Sequence, residues 1–296
     1  MRKRRVLLTG GSGFIGRNVM ESYLADRYEI LAPRHSELEL IDEVAVRDFI
    51  RGRGIEIVVH TAAKPGHRNA KDPSSVFYTN TRIFFNLARN ADVFEKMIVT
   101  GSGAVYDGRF YQRKMSEDYY DAHVPVDEHG LSKYVLEKYI QASENIYDLR
   151  IFGIYGKYED YTIRFISNMI CKAMFDLPLT MNQNRMFDYL WVDDLMPVLE
   201  FVIENGLPFH SMNVTPDVSF ALKDIAEIIL FEMKKALPIV ISKDGLGMEY
   251  SGDNSRMKSV LPNLQLTPLR EGVRKLIHWY EANRSEVDLR SLGVNP

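Results

Sequence analysis

The chain has 296 residues, of which 46% are hydrophobic, so it can bury a large core without disulfide bonds. Its formal net charge is -3 with acidic and basic residues interspersed, which argues against a broad electropositive surface for nucleic acid. The single cysteine, Cys171, excludes an internal disulfide and a cysteine-based metal site, so no metal is expected. These properties predict a cytoplasmic protein that binds a small ligand.

A short basic run, Arg2 to Arg5, comes before the first apolar segment. Only Val6, Leu7 and Leu8 follow before the first glycines, which is too short for the apolar core of a signal peptide or for a membrane span. We interpret the basic run as a solvated lead-in to the first strand and expect no contact with a membrane.

Five short aliphatic segments alternate with segments of helical periodicity. The predicted strands are Arg5 to Thr9, Glu29 to Ala32, Glu56 to His60, Lys96 to Thr100 and Asp148 to Ile151. The predicted helices between them include Phe14 to Tyr23, Val44 to Ile50 with Asp42 as its N-cap, and Val76 to Arg89. This βαβ alternation predicts an α/β fold with a doubly wound parallel sheet of the Rossmann type.

The pattern becomes less regular after Gly156, where amphipathic segments at Thr162 to Phe175 and Leu222 to Lys235 are separated by loops that contain prolines. We predict a sheet domain of residues 1–155, to which about residues 186–215 return, and a smaller C-terminal substrate-binding lobe of residues 156–185 and 216–296. The lobe is expected over the carboxyl ends of the strands, where open α/β sheets bind ligands.

A glycine-rich turn lies between the first predicted strand and the first predicted helix. Gly10, Gly13 and Gly16 have the spacing that allows a tight turn, a close approach of pyrophosphate and close packing of helix on strand. The helix that begins with Phe14 and Ile15 offers free N–H groups and the positive end of its dipole to phosphates. The strand-turn-helix context predicts an NAD(P) site rather than a plain turn.

The end of the second predicted strand bears on the choice of dinucleotide. An acidic residue there would bind a ribose 2′-hydroxyl and favour NAD, but the sequence continues Pro33-Arg34-His35. Arg34, with His35 beside it, can pair with a 2′-phosphate. The sequence favours NADP(H), and NAD(H) stays open because Arg34 is also explained as an ordinary exposed arginine.

Several segments match the motifs of one enzyme family in order: Gly10 to Gly16, His60 to Ala63, Asn80, Thr100 to Tyr106, Gly130 to Lys133 with Glu137, Arg150 to Gly156 and Arg185 to Asp194. Over nearly its whole length the chain therefore resembles the extended short-chain dehydrogenase/reductase family, which includes nucleotide-sugar epimerases, dehydratases and reductases. The resemblance implies a cofactor site made by Gly10, Gly13, Phe14, Ile15, Gly16, Arg34, Ala62, Ala63, Lys64, Asn80 and Lys133.

The same resemblance implies a catalytic site. The catalytic serine or threonine of the family falls on Ser102, and the lysine that holds the nicotinamide ribose and lowers the pKa of the catalytic tyrosine falls on Lys133. The tyrosine itself, expected four residues before that lysine, is replaced by His129. Because four residues make about one helical turn, His129 and Lys133 are expected on one helix face.

Three hypotheses for His129 stay open, in this order: a substituted general acid, a residue that shapes the pocket while another group or water delivers the proton, and the mark of a lost activity. An imidazole with a reference pKa of about 6.5 suits proton transfer near neutral pH, whereas the ammonium of Lys133 disfavours its charged form. Tyr119, Tyr120 and Tyr134 lie nearby in the sequence, but loop packing is the better interpretation of each.

Two features narrow the implied reaction. Family members that eliminate water carry an Asp-Glu pair where this chain has Gly103 and Ala104, so a dehydratase is not expected. The segment from Arg34 to Asp42 resembles the GDP-fucose synthase-like reductases of 4-keto sugars. We therefore predict an NADP(H)-dependent reductase of a nucleotide-diphosphate 4-keto sugar in deoxysugar or polysaccharide biosynthesis. Arg185 and Arg256 are the candidates to bind the diphosphate, with surface salt bridges as the alternative.

Two other functions stay open. An NAD-dependent nucleotide-sugar epimerase is the alternative within enzymes, and a non-catalytic dinucleotide sensor is the alternative outside them, because His129 replaces the tyrosine. The resemblance also implies a homodimer formed through the helices that include Val76 to Arg89 and Leu131 to Ser143.

Overall fold

A computed structural model describes residues 2–66 and 74–292 of the chain. The strands in chain order are β1 (Arg5–Thr9), β2 (Glu29–Leu31), β3 (Ile57–His60), β4 (Lys96–Ser102), β5 (Ile146–Ile151), β6 (Ile154–Tyr155), β7 (Leu179–Asp188), β8 (Leu190–Trp191), β9 (Ser211–Val214), β10 (Ser219–Ala221) and β11 (Ile239–Tyr250). The α-helices are α1 (Phe14–Glu21), α2 (Leu24–Arg27), α3 (Glu43–Arg53), α4 (Val76–Ala88), α5 (Glu128–Gln141), α6 (Phe165–Met174), α7 (Leu195–Asn205), α8 (Leu222–Glu232), α9 (Ser255–Val260), α10 (Leu269–Ala282) and α11 (Leu289–Leu292).

The central sheet has six strands in the order β2-β1-β3-β4-β5-β9, and each strand is parallel to its neighbours. The order reverses at β1, because the chain first adds β2 on one side of β1 and then β3 on the other. At such a switch point the loops that follow the two strands diverge and leave a cleft. The predicted α/β fold with a doubly wound parallel sheet is confirmed.

All five predicted strands are present in the central sheet, and only their boundaries differ. Strand β4 continues past the predicted end to Ser102. Helix α1 ends at Glu21 rather than at the predicted Tyr23, because Ser22 has an extended backbone. The predicted N-cap is observed, since the Asp42 side chain accepts hydrogen bonds from the N–H groups at the start of α3.

Apolar side chains cover both faces of the central sheet. On one face α3, α4 and α5 pack around a cluster that includes Phe84 and Leu87. On the other face α1 and α7 pack around a cluster that includes Val19 and Leu199. Because both faces are covered, space for a ligand is expected at the ends of the strands.

A further apolar cluster joins α6, α8 and α10 to a small sheet in which β7 pairs with β10 and β11. It encloses the buried Cys171. Helices α6 and α8 are both shorter than the amphipathic segments predicted for them. The predicted boundaries of the two domains stay a prediction. In the described part of the chain, no helix has the length and hydropathy to cross a membrane.

Candidate active site

The glycine turn after β1 depends on a close approach of backbone to backbone. Gly10 has a φ of 74°, in the left-handed region, and its carbonyl accepts a hydrogen bond from the Gly13 N–H at 2.9 Å. A Cβ atom at Gly16 would lie 2.2 Å from the same carbonyl oxygen. Only glycine at position 16 therefore lets α1 pack against the turn.

The residues around this turn fit a dinucleotide. No described side chain caps the N-terminus of α1, so the N–H groups of its first turn are available to phosphate oxygens. A first cavity of about 440 Å³ runs from Gly10 and Gly11 along the loop after β3, where Ala62 and Ala63 line it. The small side chains leave space at the switch point between β1 and β3, where the fold is expected to bind its ligand.

Asn80 of α4 supports this cavity indirectly. Its Nδ2 donates a hydrogen bond to the Lys64 carbonyl at 3.1 Å, and its Oδ1 accepts one from the Lys64 N–H at 2.7 Å. Asn80 is buried, whereas Ala62, Ala63 and Lys64 line the cavity. Asn80, predicted to bind the cofactor, thus holds the backbone of the loop that would do so.

His35 and Glu39 line the far end of the first cavity, whereas the exposed Arg34 is not among its lining residues. Glu39 was not predicted as a cofactor-binding residue. Its carboxylate has partners within its own loop. It lies 2.8 Å from His35 Nε2 and accepts a hydrogen bond from the Ile41 N–H at 3.0 Å. The preference for NADP(H), which rests on Arg34, stays a prediction.

Three adjacent cavities follow the carboxyl ends of β1, β3 and β4. The second, of about 490 Å³, shares Ala63 and Lys64 with the first. The third, of about 480 Å³, shares Phe14 with the second and reaches Ser102 and Lys133. Because neighbouring cavities share lining residues, we describe the three together as the strand-end groove.

Ser102 is the last residue of β4 and lines the third cavity. Its Oγ accepts a hydrogen bond from the Ala104 N–H at 3.1 Å. The phenol of Tyr250, the last residue of β11, lies beside Ser102 and Gly103, and Ser102 lowers its pKa. Ser102 therefore meets a side chain from the C-terminal half of the chain at the wall of the groove.

His129 and Lys133 lie one turn apart on α5 and both line the third cavity. Asp127 is the N-cap of this helix, and its Oδ1 accepts a hydrogen bond from the Gly130 N–H at 2.8 Å. Burial lowers the pKa of Lys133, and the charge of Asp148 opposes that effect. The predicted juxtaposition of His129 with Lys133 is thus present, but the role of His129 stays a prediction.

A buried ionic cluster lies beside Lys133. Arg150 Nη2 is 2.7 Å from Glu137 Oε1, and Arg150 Nε is 3.4 Å from Asp148 Oδ2. Burial raises the pKa of Asp148, Glu137 adds to the increase, and Arg150 and Lys133 oppose it. Two basic groups, Lys133 and Arg150, and two acidic groups, Glu137 and Asp148, therefore lie together in one poorly solvated region next to the third cavity.

Polar residues from the C-terminal half also line the third cavity: Glu159, Arg164, Tyr189 and Tyr250. Burial raises the pKa of Glu159 to about 8, and its carboxylate accepts a hydrogen bond from Ser167 at 2.6 Å. None of the four was predicted as a site residue: Tyr189 lies inside the matched segment Arg185 to Asp194 but was not singled out, and the other three lie outside the matched motifs. Their polar character gave no signal until the fold brought them to the groove.

The two arginines predicted to bind a diphosphate are absent from the residues that line the strand-end groove in the described structure. Arg256 Nη1 donates to the Ser211 carbonyl at 3.0 Å, and its Nη2 lies 2.6 Å from an Asp118 carboxylate oxygen. Arg185 lies on β7 beside Gly247 of β11. The Arg256 guanidinium thus has a carbonyl and a carboxylate as partners, and its role at a diphosphate stays a prediction. The prediction for Arg185 stays untested.

One protein-family model matches the part of the chain that contains both the central sheet and the sequence motifs. The model of the NAD dependent epimerase/dehydratase family matches residues 6–215. The chain belongs to this family. The match spans the glycine turn, Ser102 and α5, so the resemblance predicted from the sequence is confirmed, and the chain is an enzyme of the NAD(P)-dependent epimerase/dehydratase type.

Individual relatives act on nucleotide sugars. Over 315 aligned positions the chain is 25% identical to the dTDP-4-dehydro-6-deoxyglucose reductase of Escherichia coli, covering 93% of this chain and 97% of that protein. Over 311 positions it is 22% identical to a putative UDP-glucose 4-epimerase of Methanocaldococcus jannaschii, covering 94% and 99%. The GDP-mannoheptose C4 reductase of Campylobacter jejuni, solved with NADP bound, has the same fold, with a TM-score of 0.82, 18% identity and coverage of 94% and 98%.

Proposed function

We propose that this protein reduces a 4-keto nucleotide-diphosphate sugar, with NADP(H) as the favoured cofactor and NAD(H) as the alternative. The observation that carries the proposal is the strand-end groove, which leads from the glycine turn to Ser102 and Lys133. The reductases of Escherichia coli and Campylobacter jejuni support the reaction, and the NADP bound to the latter supports the cofactor.

In this proposal the turn from Gly10 to Gly16 and the first N–H groups of α1 bind the pyrophosphate. The loop of Ala62, Ala63 and Lys64 flanks it, and Asn80 positions that loop through the Lys64 backbone. Arg34 would reach a 2′-phosphate from the rim, and Lys133 would hold the nicotinamide ribose. The bound cofactor would supply a hydride to the ketone carbon.

The substrate end of the groove would be made by both halves of the chain. Ser102 donates a hydrogen bond to the ketone oxygen as negative charge develops on it, and Lys133 adds positive potential. Arg164, which lines the second and third cavities, is suited to a phosphate of the substrate. Arg185 remains the predicted diphosphate ligand on the small sheet that carries Tyr250.

The turn after Ser102 argues against dehydration. Gly103 and Ala104 form a short helical turn there and bring no carboxylate to the third cavity. Elimination of water from a sugar needs a general acid and a general base beside the carbons that react. Reduction of a ketone needs only one proton donor beside the oxygen. The hydroxyl of Ser102 lies at this end of the groove, so the site fits reduction better than dehydration.

The experiment mixes the purified protein with NADPH and a panel of 4-keto nucleotide sugars, and follows NADPH fluorescence together with the sugar product. A reductase consumes one NADPH for each new alcohol, whereas an epimerase converts a nucleotide sugar in the presence of NAD without net consumption. If the protein binds NADPH tightly but no 4-keto sugar oxidises it, the reductase proposal is wrong, and the sensor hypothesis gains support.

We also propose a homodimer formed through α4 and α5. Tyr78 of α4 is 59% exposed and Tyr139 of α5 is 39% exposed, which leaves aromatic surface on both helices. Light scattering should give twice the mass of the chain, and Tyr78→Glu with Tyr139→Glu should halve it. A wild-type protein with the mass of one chain contradicts the dimer.

A further inference from the structure

The hydroxyl of Tyr250 lies against the carboxyl end of β4. Tyr250 pairs in register with Phe187 of β7, and both residues line the third cavity. The ring centroid is 5.0 Å from that of Phe152 and 5.5 Å from that of Phe187. A Cβ atom at Gly103, the residue after Ser102, would lie 2.8 Å from the Tyr250 hydroxyl oxygen, and Ser102 influences the pKa of that hydroxyl. The packed ring thus holds its hydroxyl next to that of Ser102.

The tyrosines closer to His129 in sequence are engaged elsewhere. The Tyr120 hydroxyl donates a hydrogen bond to the Tyr134 carbonyl at 2.9 Å, and the Tyr134 hydroxyl donates one to the Asp121 carboxylate. Neither these two nor Tyr119 is among the described residues that line the strand-end groove. Of the two tyrosines that line the third cavity, Tyr250 is the one whose hydroxyl lies beside Ser102 and Gly103.

The surroundings of Tyr250 favour its neutral form. Burial raises the pKa of Tyr250 well above its ordinary value, and Tyr111 and Asp188 raise it further. The interaction with Ser102 and the charge of Arg164 lower the pKa of Tyr250 without reversing the effect of burial. The phenol therefore keeps its proton over the neutral range and is available as a donor.

We propose that Tyr250 is the proton donor to the substrate oxygen, acting beside Ser102. The inference rests on the proposed reduction of a sugar ketone. As the ketone carbon gains the hydride, the carbonyl π electrons move to the oxygen, and the oxygen takes the proton of the phenol. The O–H bond of Tyr250 breaks, its electron pair stays on the phenolate, and water returns a proton. The ketone is reduced to an alcohol and the reduced nicotinamide cofactor is oxidised. His129 then lines the same cavity without donating the proton.

The deciding variant is Tyr250→Phe, which keeps the packed ring and removes only the hydroxyl. Its matched control is Tyr111→Phe, because the Tyr111 ring lies 5.1 Å from that of Tyr250 yet is not among the lining residues of the groove. We expect kcat to fall about 100-fold in Tyr250→Phe, with KM and NADPH affinity changed less than about threefold. Tyr111→Phe should stay within about threefold of wild type in all three. His129→Phe should lose less of kcat than Tyr250→Phe.

The pH profile separates the two donors. A phenol that keeps its proton predicts a kcat that stays level through about pH 6.5, up to the pKa of about 8 at which Glu159 ionises in the same cavity. An imidazolium donor would instead lose activity above its ordinary pKa of about 6.5. A fall of about tenfold per pH unit above that value, abolished in His129→Phe, would assign the proton to His129 and overturn the proposal.

A binding readout tests the contact without turnover. GDP-mannose is titrated into the wild type and both tyrosine variants, and the ultraviolet difference spectrum of tyrosine is recorded. The chain has 16 tyrosines, so the contribution of Tyr250 is the part that Tyr250→Phe lacks and Tyr111→Phe keeps. We expect such a contribution, because the phenol would donate a hydrogen bond to a sugar oxygen.

The outcomes separate the two proposals. If the wild type reduces a 4-keto sugar and Tyr250→Phe is equally active, the role of Tyr250 is refuted and the reductase stands. If no 4-keto sugar is reduced but GDP-mannose produces the Tyr250 signal, the reductase fails and the position of Tyr250 at the sugar is supported. If neither turnover nor the signal is observed, both proposals fail.

Discussion

The two ends of the strand-end groove are built in different ways. At the glycine turn the chain uses its own backbone, with Gly10 and Gly16 in contact through one carbonyl group. At Ser102 the wall combines side chains from β4, α5 and β11, among them His129, Lys133 and Tyr250. The first end depends on residues that are adjacent in sequence, whereas the second depends on segments that meet only in the folded molecule.

The two ends therefore suit different tasks, the glycine turn the binding of phosphate and the end at Ser102 the transfer of a proton. A backbone turn presents N–H groups to any phosphate of the right shape, so a few glycines and a helix start are enough to specify it. A proton donor must instead be held against one substrate atom, and its pKa depends on every group around it. Substitutions at the two ends should therefore affect different measurements.

The largest effect is expected at the glycine end, from Gly16→Val. The valine side chain would overlap the Gly10 carbonyl, so we expect the free energy of unfolding to fall by about 4 kcal/mol or more, measured as a lower melting temperature. We also expect NADPH binding to be undetectable. The matched control is Gly52→Val on α3, where a Cβ meets nothing within 4 Å. That variant should bind NADPH like the wild type. Normal NADPH affinity in Gly16→Val would show that the turn is not the dinucleotide site.

At the other end, Ser102→Ala should spare cofactor binding and reduce turnover. We expect kcat to fall about 100- to 1000-fold, because a hydrogen bond to the developing oxyanion is lost. NADPH affinity, measured by fluorescence titration, should change less than about threefold. Ser259→Ala serves as the control, since that exposed hydroxyl donates to the Arg256 carbonyl away from the groove. A loss of NADPH affinity equal to the loss of kcat would contradict the division between the two ends.

The end of the groove at Ser102 also predicts a stability that depends on pH, because Glu159 is buried there. Its pKa is raised to about 8 in the folded protein from an ordinary value of 4.5. Between these values the unfolded chain has released a proton that the folded protein keeps, so increasing pH favours the unfolded state. Glu159→Gln removes this dependence. Its gain in unfolding free energy over wild type should grow with pH to about 2 kcal/mol near pH 8 and then stay level.

Urea titrations at about pH 5, 6.5 and 8 measure that gain. The exposed Glu144→Gln is the matched control and should show no gain that depends on pH. A constant difference between Glu159→Gln and wild type at all three values would mean that the Glu159 carboxylate is ionised in the folded protein.

The smallest effect is expected at the adenosine end, from Arg34→Ala. If Arg34 pairs with a 2′-phosphate, NADPH affinity should fall about tenfold while NADH affinity stays unchanged. Arg47→Ala on α3 is the control, because that exposed arginine pairs with Asp48. Equal losses for NADPH and NADH would remove the basis for the preference of NADP(H).

Local pattern was sufficient for most of the fold. The strands could be predicted because both faces of the sheet are covered, which makes each strand a short apolar run between turns. The start of α3 could be predicted because a cap such as Asp42 acts within its own segment. The end of α1 was predicted too late, because the extended backbone of Ser22 is not encoded by apolar periodicity.

For the site, the sequence predicted residues that belong to local motifs better than residues whose contacts join distant segments. Ser102 and Lys133 belong to motifs, and the fold places both at the third cavity. Asn80 also belongs to one, yet its amide binds the Lys64 backbone, which periodicity cannot reveal. Arg256 was chosen for its chemistry alone, and its ion pair with Asp118 depends on contacts between distant segments.

By itself the sequence determined the parallel sheet, the glycine turn and the pair His129 and Lys133 on one helix face, because each depends on spacing within a single strand, turn or helix. Only the tertiary structure decided what faces that pair. It brought Tyr250 to Ser102 through the pairing of β11 with β7, and it buried Glu159 at the same cavity. The reason is physical: spacing along the chain controls local geometry, whereas burial and proximity between distant segments control which polar groups share one poorly solvated site.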